Sequence, residues 1–155
     1  MNKKLSWCLV VSMMVLSVTG CGRSKLKLAD PVPTKGTVMV DDKPLSNSLV
    51  YFVPEGAKVV GPGSTAVTDG NGNYELKTVI DGKPKTGAIP GNYRVMLSSW
   101  VGPNGQVVVP DGKTPPANQA AREVLPERFS NMMTTELKAT VAGSGGTFDF
   151  KIQSR

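Results

Sequence analysis

The sequence contains no histidine, and its only cysteines are Cys8 and Cys21, both close to the N-terminus. Histidine is the usual general base near neutral pH and a frequent ligand of transition metals. These absences exclude Ser-His-Asp and Cys-His catalytic sites, and zinc sites made from histidine or cysteine, in the chain after Cys21. No metal and no cofactor are therefore expected.

The N-terminus has the features of a bacterial lipoprotein signal, in the expected order. Two lysines precede the apolar run Leu5–Val18, and the small residues Thr19 and Gly20 lead to Cys21. The run suits the apolar region of a signal peptide and is shorter than the roughly 20 residues that a membrane-spanning helix needs. Because the segment resembles signals that are cut before a lipidated cysteine, residues 1–20 are predicted to be removed. The alternative is an uncleaved anchor helix, which the polar sequence after Gly20 disfavours.

Cys21 is accordingly the predicted lipid attachment site. The diacylglycerol that such a signal implies carries two acyl chains, and stable anchoring to a membrane needs more than one. Gly22 follows Cys21, at the position where Asp is associated with retention in the inner membrane of enterobacteria. We expect a lipid-anchored protein of the cell envelope, at the outer membrane or the cell surface, and a periplasm-facing position is compatible with the same signal.

The charge of the chain does not indicate a nucleic-acid partner. The net charge is +6, and it becomes +4 once Lys3 and Lys4 leave with the signal. The remaining charges alternate with apolar residues, whereas faces that bind DNA or RNA combine clustered cations with aromatic residues. Because Cys21 is assigned to the lipid, no disulfide is expected, and the fold must depend on packing alone.

The rest of the chain divides into a tether and one domain. Residues 21–34 are polar, contain two prolines and show no periodic pattern, which is typical of an extended, flexible spacer. Residues 35–155 have the length of a single domain with one core.

The periodicity of this domain is that of β-strands. Apolar and polar residues alternate in NYRVMLSS, residues 92–99, and in TFDFKIQ, residues 147–153. The other predicted strands are 36–40, 48–54, 65–68, 74–78 and 136–142. Residues 48–54 are apolar on both sides and are predicted to be central in their sheet. About seven short strands with frequent turns indicate an all-β fold, a single antiparallel β-sandwich.

Two connections carry further information. DGNGN, residues 69–73, is predicted to form a tight reversal, because Gly and Asn readily adopt positive φ angles. The segment 99–124 is too long for an ordinary connection, and loops of this length are commonly functional. Within it, residues 118–124 are predicted to form one or two helical turns with Asn118 as the N-cap.

Five segments of the domain match a known pattern in order. They are GTVMVDDKPLSNSLVYFVPE, TAVTDGNGNYEL, GAIPGNYRVML, LPERFSN and TFDFKI. Together they resemble carboxypeptidase regulatory-like domains, which are transthyretin-like or Ig-like β-sandwiches. The sequence departs from that pattern at Asp42, where Gly is usual, and in the long insertion after Ser98. The resemblance implies an accessory, binding or folding-support module and no catalytic residues.

Paired carboxylates are the remaining catalytic candidates. Asp41 with Asp42, Glu123 with Glu127, and Asp149 lie in predicted turns, loops or polar strand positions, where contact with solvent explains them. A glycosidase needs an acid and a nucleophile that face each other across a cleft. Nothing in the sequence frames such a pair, so a hydrolase is the least favoured function.

The turn at residues 69–73 also has the beginning of a calcium loop. Asp69, Asn71 and Asn73 have the spacing of calcium ligands, but position six is Tyr74 and position twelve is Ile80. An EF-hand requires Gly and Glu at those two positions. A plain hairpin turn is favoured over a looser calcium site.

Trp100 opens the long loop and is the only tryptophan after the predicted signal. It is a candidate ligand contact, either as a stacking platform for a sugar or as an anchor for a protein partner. The alternative is a lid over the end of the sandwich, since large aromatic side chains are usually buried.

These observations predict a lipid-anchored, non-enzymatic protein of the cell envelope that acts as a structural or protein-interaction module. Its partners would be the membrane, through the lipid, and an envelope protein or glycan. The alternative function is a carbohydrate-binding module that uses the loop 99–124.

Overall fold

The computed structural model describes residues 28–56, 61–109, 111 and 113–155. The predicted signal peptide and Cys21 lie outside this part of the chain. In chain order the strands are β1 (Thr34–Val40), β2 (Lys43–Pro44), β3 (Leu49–Pro54), β4 (Ser64–Val67), β5 (Asn73–Glu75), β6 (Lys77–Ile80), β7 (Lys83–Thr86), β8 (Gly91–Ser98), β9 (Trp100–Val101), β10 (Val107–Val108), β11 (Arg122–Glu123), β12 (Lys138–Val141), β13 (Gly146–Thr147) and β14 (Phe150–Ile152). A 3-10 helix covers Pro116–Gln119, and the α-helix α1 covers Glu127–Ser130.

The larger sheet contains six antiparallel strands in the order β12-β8-β3-β4-β6-β7. Strand β3 lies in the interior of this sheet, between β8 and β4, as its apolar sequence predicts. Alternate residues of β3 and β8 face the core, and Val50, Phe52, Val95 and Leu97 are fully buried. The opposite face of β3 and β8 is half-buried and includes Leu49 and Met96.

The smaller sheet is built around β1. Strands β2 and β5 pair with β1 antiparallel, while β13 and β14 pair with it in parallel. Strand β1 requires glycine at position 36, because a Cβ there would lie 1.8 Å from the carbonyl oxygen of Phe148. The predicted strand 147–153 is interrupted, because the Asp149 carboxylate accepts hydrogen bonds of 2.8 Å from the backbone N–H and the hydroxyl of Thr37.

The two sheets pack face to face through aromatic side chains. The ring centroid of Phe52, in the larger sheet, lies 6.4 Å from that of Tyr74 and 6.2 Å from that of Phe150, both in the smaller sheet. It also contacts Tyr93 at 5.6 Å and Phe148 at 5.9 Å. The predicted all-β sandwich is therefore confirmed, with mainly antiparallel pairing and two parallel pairings, both with β1.

The predicted strand 74–78 is shared between the sheets. Its first part belongs to β5 and its second part to β6, and the chain crosses from one sheet to the other at Leu76. The side chain of Leu76 is fully buried, and its backbone N–H donates to the oxygen of Thr34 at 2.9 Å. Pairing of the domain also begins before Lys35, since Val32 exchanges hydrogen bonds with Ala88 and β1 starts at Thr34.

The insertion after Ser98 forms a small sheet of its own, in which β9 pairs with β10 and β11. The prediction of a helix over residues 118–124 with Asn118 as N-cap is wrong. The 3-10 helix starts earlier, after Pro115, and Asn118 lies within it. Ala120 then adopts a left-handed conformation with φ of 53°, which ends the helix and lets residues 122–123 pair with β9.

Helix α1, a single turn that follows the insertion, was not predicted from the sequence. It packs against β8 and buries Phe129. Within the described part of the chain, no helix has the length and apolar character needed to cross a membrane.

Candidate binding groove

A groove of about 660 Å³ lies where the outer face of the larger sheet meets the insertion and α1. Its apolar walls come from four elements or their flanking segments. Leu49 lies on β3, Met96 on β8 and Trp100 on β9, while Leu125 and Met132 flank α1. We call this cavity the Trp100 groove.

Trp100 is half-buried and lies outside the main core cluster of the sandwich. Its indole Nε1 donates a hydrogen bond of 2.7 Å to the hydroxyl of Ser98. This bond fixes the orientation of the ring. Trp100, which the sequence analysis predicted as a candidate ligand contact, thus lies in the wall of the groove.

The carboxylate of Glu123 links the insertion to the sandwich. Its Oε1 accepts hydrogen bonds from the backbone N–H groups of Ser99, Val124 and Leu125, at 2.9, 3.0 and 3.0 Å. Its Oε2 accepts a short hydrogen bond from the hydroxyl of Ser98. Trp100, Ser98 and Glu123 thus form one continuous chain of hydrogen bonds.

This role of Glu123 was missed by the sequence analysis, which attributed its carboxylate to solvation. The donors at Ser98 and Ser99 are 25 and 24 residues away along the chain. No local pattern around Glu123 signals them. The sequence offers one non-local signal, which is that Ser98 and Ser99 stand at the beginning of the insertion and a carboxylate, Glu123, stands at its end.

The other polar groups of the groove differ in how many hydrogen bonds they form within the protein. The hydroxyl of Ser130 donates to the carbonyl oxygens of Leu125 and Pro126, and the Oδ1 of Asn131 accepts from the N–H of Met133. The exposed carboxylate of Glu127 forms no salt bridge with a described residue. Glu127 and the amide nitrogen of Asn131 are therefore the groups left for a ligand.

Arg94 holds the segment that forms the rim of the groove. Its Nη1 donates to the carbonyl oxygens of Met132 and Met133 at 3.3 Å, and its Nη2 lies 2.9 Å from Glu55. Lys138 lies 3.6 Å from the same carboxylate. The hydrogen bond from Arg94 lowers the pKa of Glu55. With the backbone held, the side chains of Met132 and Met133 remain 41% and 79% exposed.

No known family, curated protein or solved structure matches this chain. The likeness to carboxypeptidase regulatory-like domains accordingly remains an expectation drawn from the sequence.

The other acidic candidates are structural in this fold. Asp69 Oδ1 accepts from the N–H groups of Asn71 and Asn73 at 2.8 Å, and its Oδ2 accepts from the Asn73 side chain at 3.0 Å. These contacts form the tight reversal that the sequence predicted, and they lower the pKa of Asp69. Among the described residues, no group of three side chains has the arrangement of a metal site.

The pair Asp41 and Asp42 lies at the turn between β1 and β2. Asp41 accepts hydrogen bonds from the N–H and the hydroxyl of Ser154, which lower its pKa. Asp42 has a φ of 60°, a left-handed conformation that glycine adopts more easily. Asp42 therefore lies where the backbone favours glycine.

Proposed function

We propose that this chain is a lipid-anchored, non-enzymatic protein of the cell envelope that acts as a structural or protein-interaction module. The observation that supports this function best is the Trp100 groove. Its apolar walls are open to solvent, and its shape is set by hydrogen bonds within the protein. A surface that is already organised loses less conformational entropy when a partner binds.

The carboxylates of the groove support binding better than catalysis. Hydrolysis by paired carboxylates needs one group that gives a proton and another that attacks or activates water. Both oxygens of Glu123 are engaged by donors from its own chain. Glu127 is then the one carboxylate in the groove whose oxygens are not bound by described residues, and a single carboxylate does not complete such a pair.

The lipid anchor is proposed from the N-terminal sequence, and it is tested by a substitution. In a bacterial host that processes lipoproteins, the full chain should fractionate with membranes and incorporate a labelled fatty acid. Cys21→Ala should abolish the labelling, and chains of this variant from which the signal has been removed should be released from the membrane, because the two acyl chains provide the anchor. Cys8→Ala is the matched control and should behave like the original chain. Membrane association of Cys21→Ala after removal of the signal would contradict the proposal.

A carbohydrate-binding module is the second candidate function. The observation that favours it is the half-exposed ring of Trp100, which lies in the same groove as Glu127 and Asn131. An aromatic platform beside a carboxylate and an amide suits the apolar face and the hydroxyls of a sugar. Titration with chito-, cello- and malto-oligosaccharides tests this function, because their binding should depend on Trp100.

A further inference from the structure

The walls of the Trp100 groove are suited to an apolar side chain. Trp100 and Met residues are among the types enriched where proteins bind one another. Met96 and Met132 have flexible, polarisable side chains that adapt to the shape of a partner. Leu49 and Leu125 complete the apolar surface.

Few polar groups of the groove are free to bind sugar hydroxyls. Ser98, Glu123 and Ser130 already form hydrogen bonds within the protein. A sugar that covered the groove would lose water from several hydroxyls and would find only Glu127 and the amide nitrogen of Asn131 as new partners. Hydroxyls that are desolvated without a partner weaken binding. The groove therefore fits a peptide better than a glycan.

The charge of the groove selects further among peptides. Its lining includes two carboxylates, those of Glu123 and Glu127, and no Lys or Arg. The neighbouring cations are engaged by other groups, as Arg94 is by Glu55 and by the carbonyl oxygens of Met132 and Met133. Arg128 donates to the carbonyl oxygens of Gln153 and Arg155, and Arg122 lines a separate cavity together with Val101 and Pro103. The excess negative charge complements a basic side chain.

We infer that the Trp100 groove binds a peptide segment of a partner protein in which a large apolar residue lies next to a Lys or Arg. The apolar side chain occupies the space between Trp100 and Met96, and the basic group pairs with Glu127. This inference rests on the proposed interaction function and adds the chemistry of the partner.

The test uses the full chain, purified in detergent, and a phage-displayed library of random peptides. Selected peptides are synthesised, and their affinities are compared with those of chito-, cello- and malto-oligosaccharides. We expect enriched peptides that combine an aromatic or large aliphatic residue with an adjacent Lys or Arg. Their binding should weaken as salt is added, because the ion pair with Glu127 is exposed.

Three variants measure the contribution of the groove, and a fourth is their control. Trp100→Ala should weaken peptide binding about 30-fold, as expected for an aromatic anchor. Met132→Ser changes an exposed side chain without disturbing the core and should weaken binding about five-fold. Glu127→Gln should weaken it up to about five-fold at low salt. Glu136→Gln is the matched control outside the groove and should leave the affinity unchanged.

Several results would overturn the inference. They are the absence of any enriched peptide, enrichment of peptides without a basic residue, and affinities that Met132→Ser and Glu127→Gln leave unchanged. Oligosaccharide binding that depends on Trp100, without peptide binding, would assign the groove to glycans. None of these outcomes affects the behaviour of Cys21→Ala, so a failure of the groove is distinguishable from a failure of the proposed anchor.

Discussion

At the scale of single residues, Glu123 decides how the insertion is attached. A two-stranded contact of a few residues is marginal by itself, and β9 pairs with β10 and β11 over two residues each. The carboxylate of Glu123 adds four acceptor contacts to this small sheet, including the hydroxyl and N–H at the end of β8. Hydrogen bonds to a charged group are stronger than those between neutral groups.

Replacement of Glu123 by Gln should therefore destabilise the domain. The Gln side chain keeps one carbonyl oxygen for the backbone donors, but its amide nitrogen faces the hydroxyl of Ser98, which already accepts from Trp100. We expect a loss of about 1–3 kcal/mol in the free energy of unfolding, measured by urea denaturation. Glu136→Gln, at an exposed position, should change it by less than about 0.5 kcal/mol. Equal stability of both variants would show that Glu123 does not hold the insertion.

At the scale of elements, the reversal at residues 69–73 shows how a turn is stabilised by a side chain. The Asp69 carboxylate takes the N–H groups that the turn leaves unpaired, and Gly72 has a φ of 77°. Such turns were predictable because their residues act on the backbone next to them. The short strands of the insertion were not, because their attachment depends on a carboxylate that also accepts from Ser98 and Ser99, which are 25 and 24 residues away in sequence.

The difference between local and distant contacts also explains why the predicted strand 74–78 is divided between two sheets. Tyr74, Leu76 and Thr78 are all buried, so the alternation of apolar and polar positions continues through the crossing. A continuous alternation predicts one strand. It contains no information on which neighbour each half pairs with, and the crossing at Leu76 depends on the positions of β1 and β4.

The Asp69 turn should contribute to the pH dependence of stability. Hydrogen bonds lower the pKa of Asp69 in the folded state, so its contribution is complete above the pKa of the unfolded chain, about 4. It is lost as the pH falls through the folded pKa. Asp69→Asn should therefore reduce stability near neutral pH and make the loss of stability below about pH 4 smaller, as measured by urea midpoints.

The control for this prediction is Asp81→Asn, an exposed position where φ is 50° and Asn is well tolerated. Its midpoints should follow those of the original chain across the pH range. Asp69→Asn retains part of the acid sensitivity, because hydrogen bonds also lower the pKa values of Asp41, Asp111 and Glu55. An unchanged pH profile in Asp69→Asn would exclude a contribution of this turn.

At the scale of the whole molecule, a single aromatic centre joins both sheets, and the insertion is attached to the same sandwich through β8. The alternation of apolar residues was sufficient to predict the two-sheet architecture, because it reports directly which side chains are removed from water. The groove could not be predicted from Trp100 alone, because its walls come from Leu49, Met96 and Met132, which are far apart in sequence.

Phe52→Ala tests whether this architecture unfolds as one unit. Loss of a fully buried ring that contacts both sheets should lower the free energy of unfolding by about 3–5 kcal/mol. In a Trp7→Phe background, Trp100 is the only tryptophan and its fluorescence reports on the insertion, while circular dichroism reports on the sheets. Both midpoints should decrease together, because Glu123 ties the insertion to β8.

Val79→Ala, at a side chain that is 55% exposed, should leave both midpoints nearly unchanged. A fluorescence midpoint that stays constant while the other decreases would mean that the insertion folds independently of the sandwich.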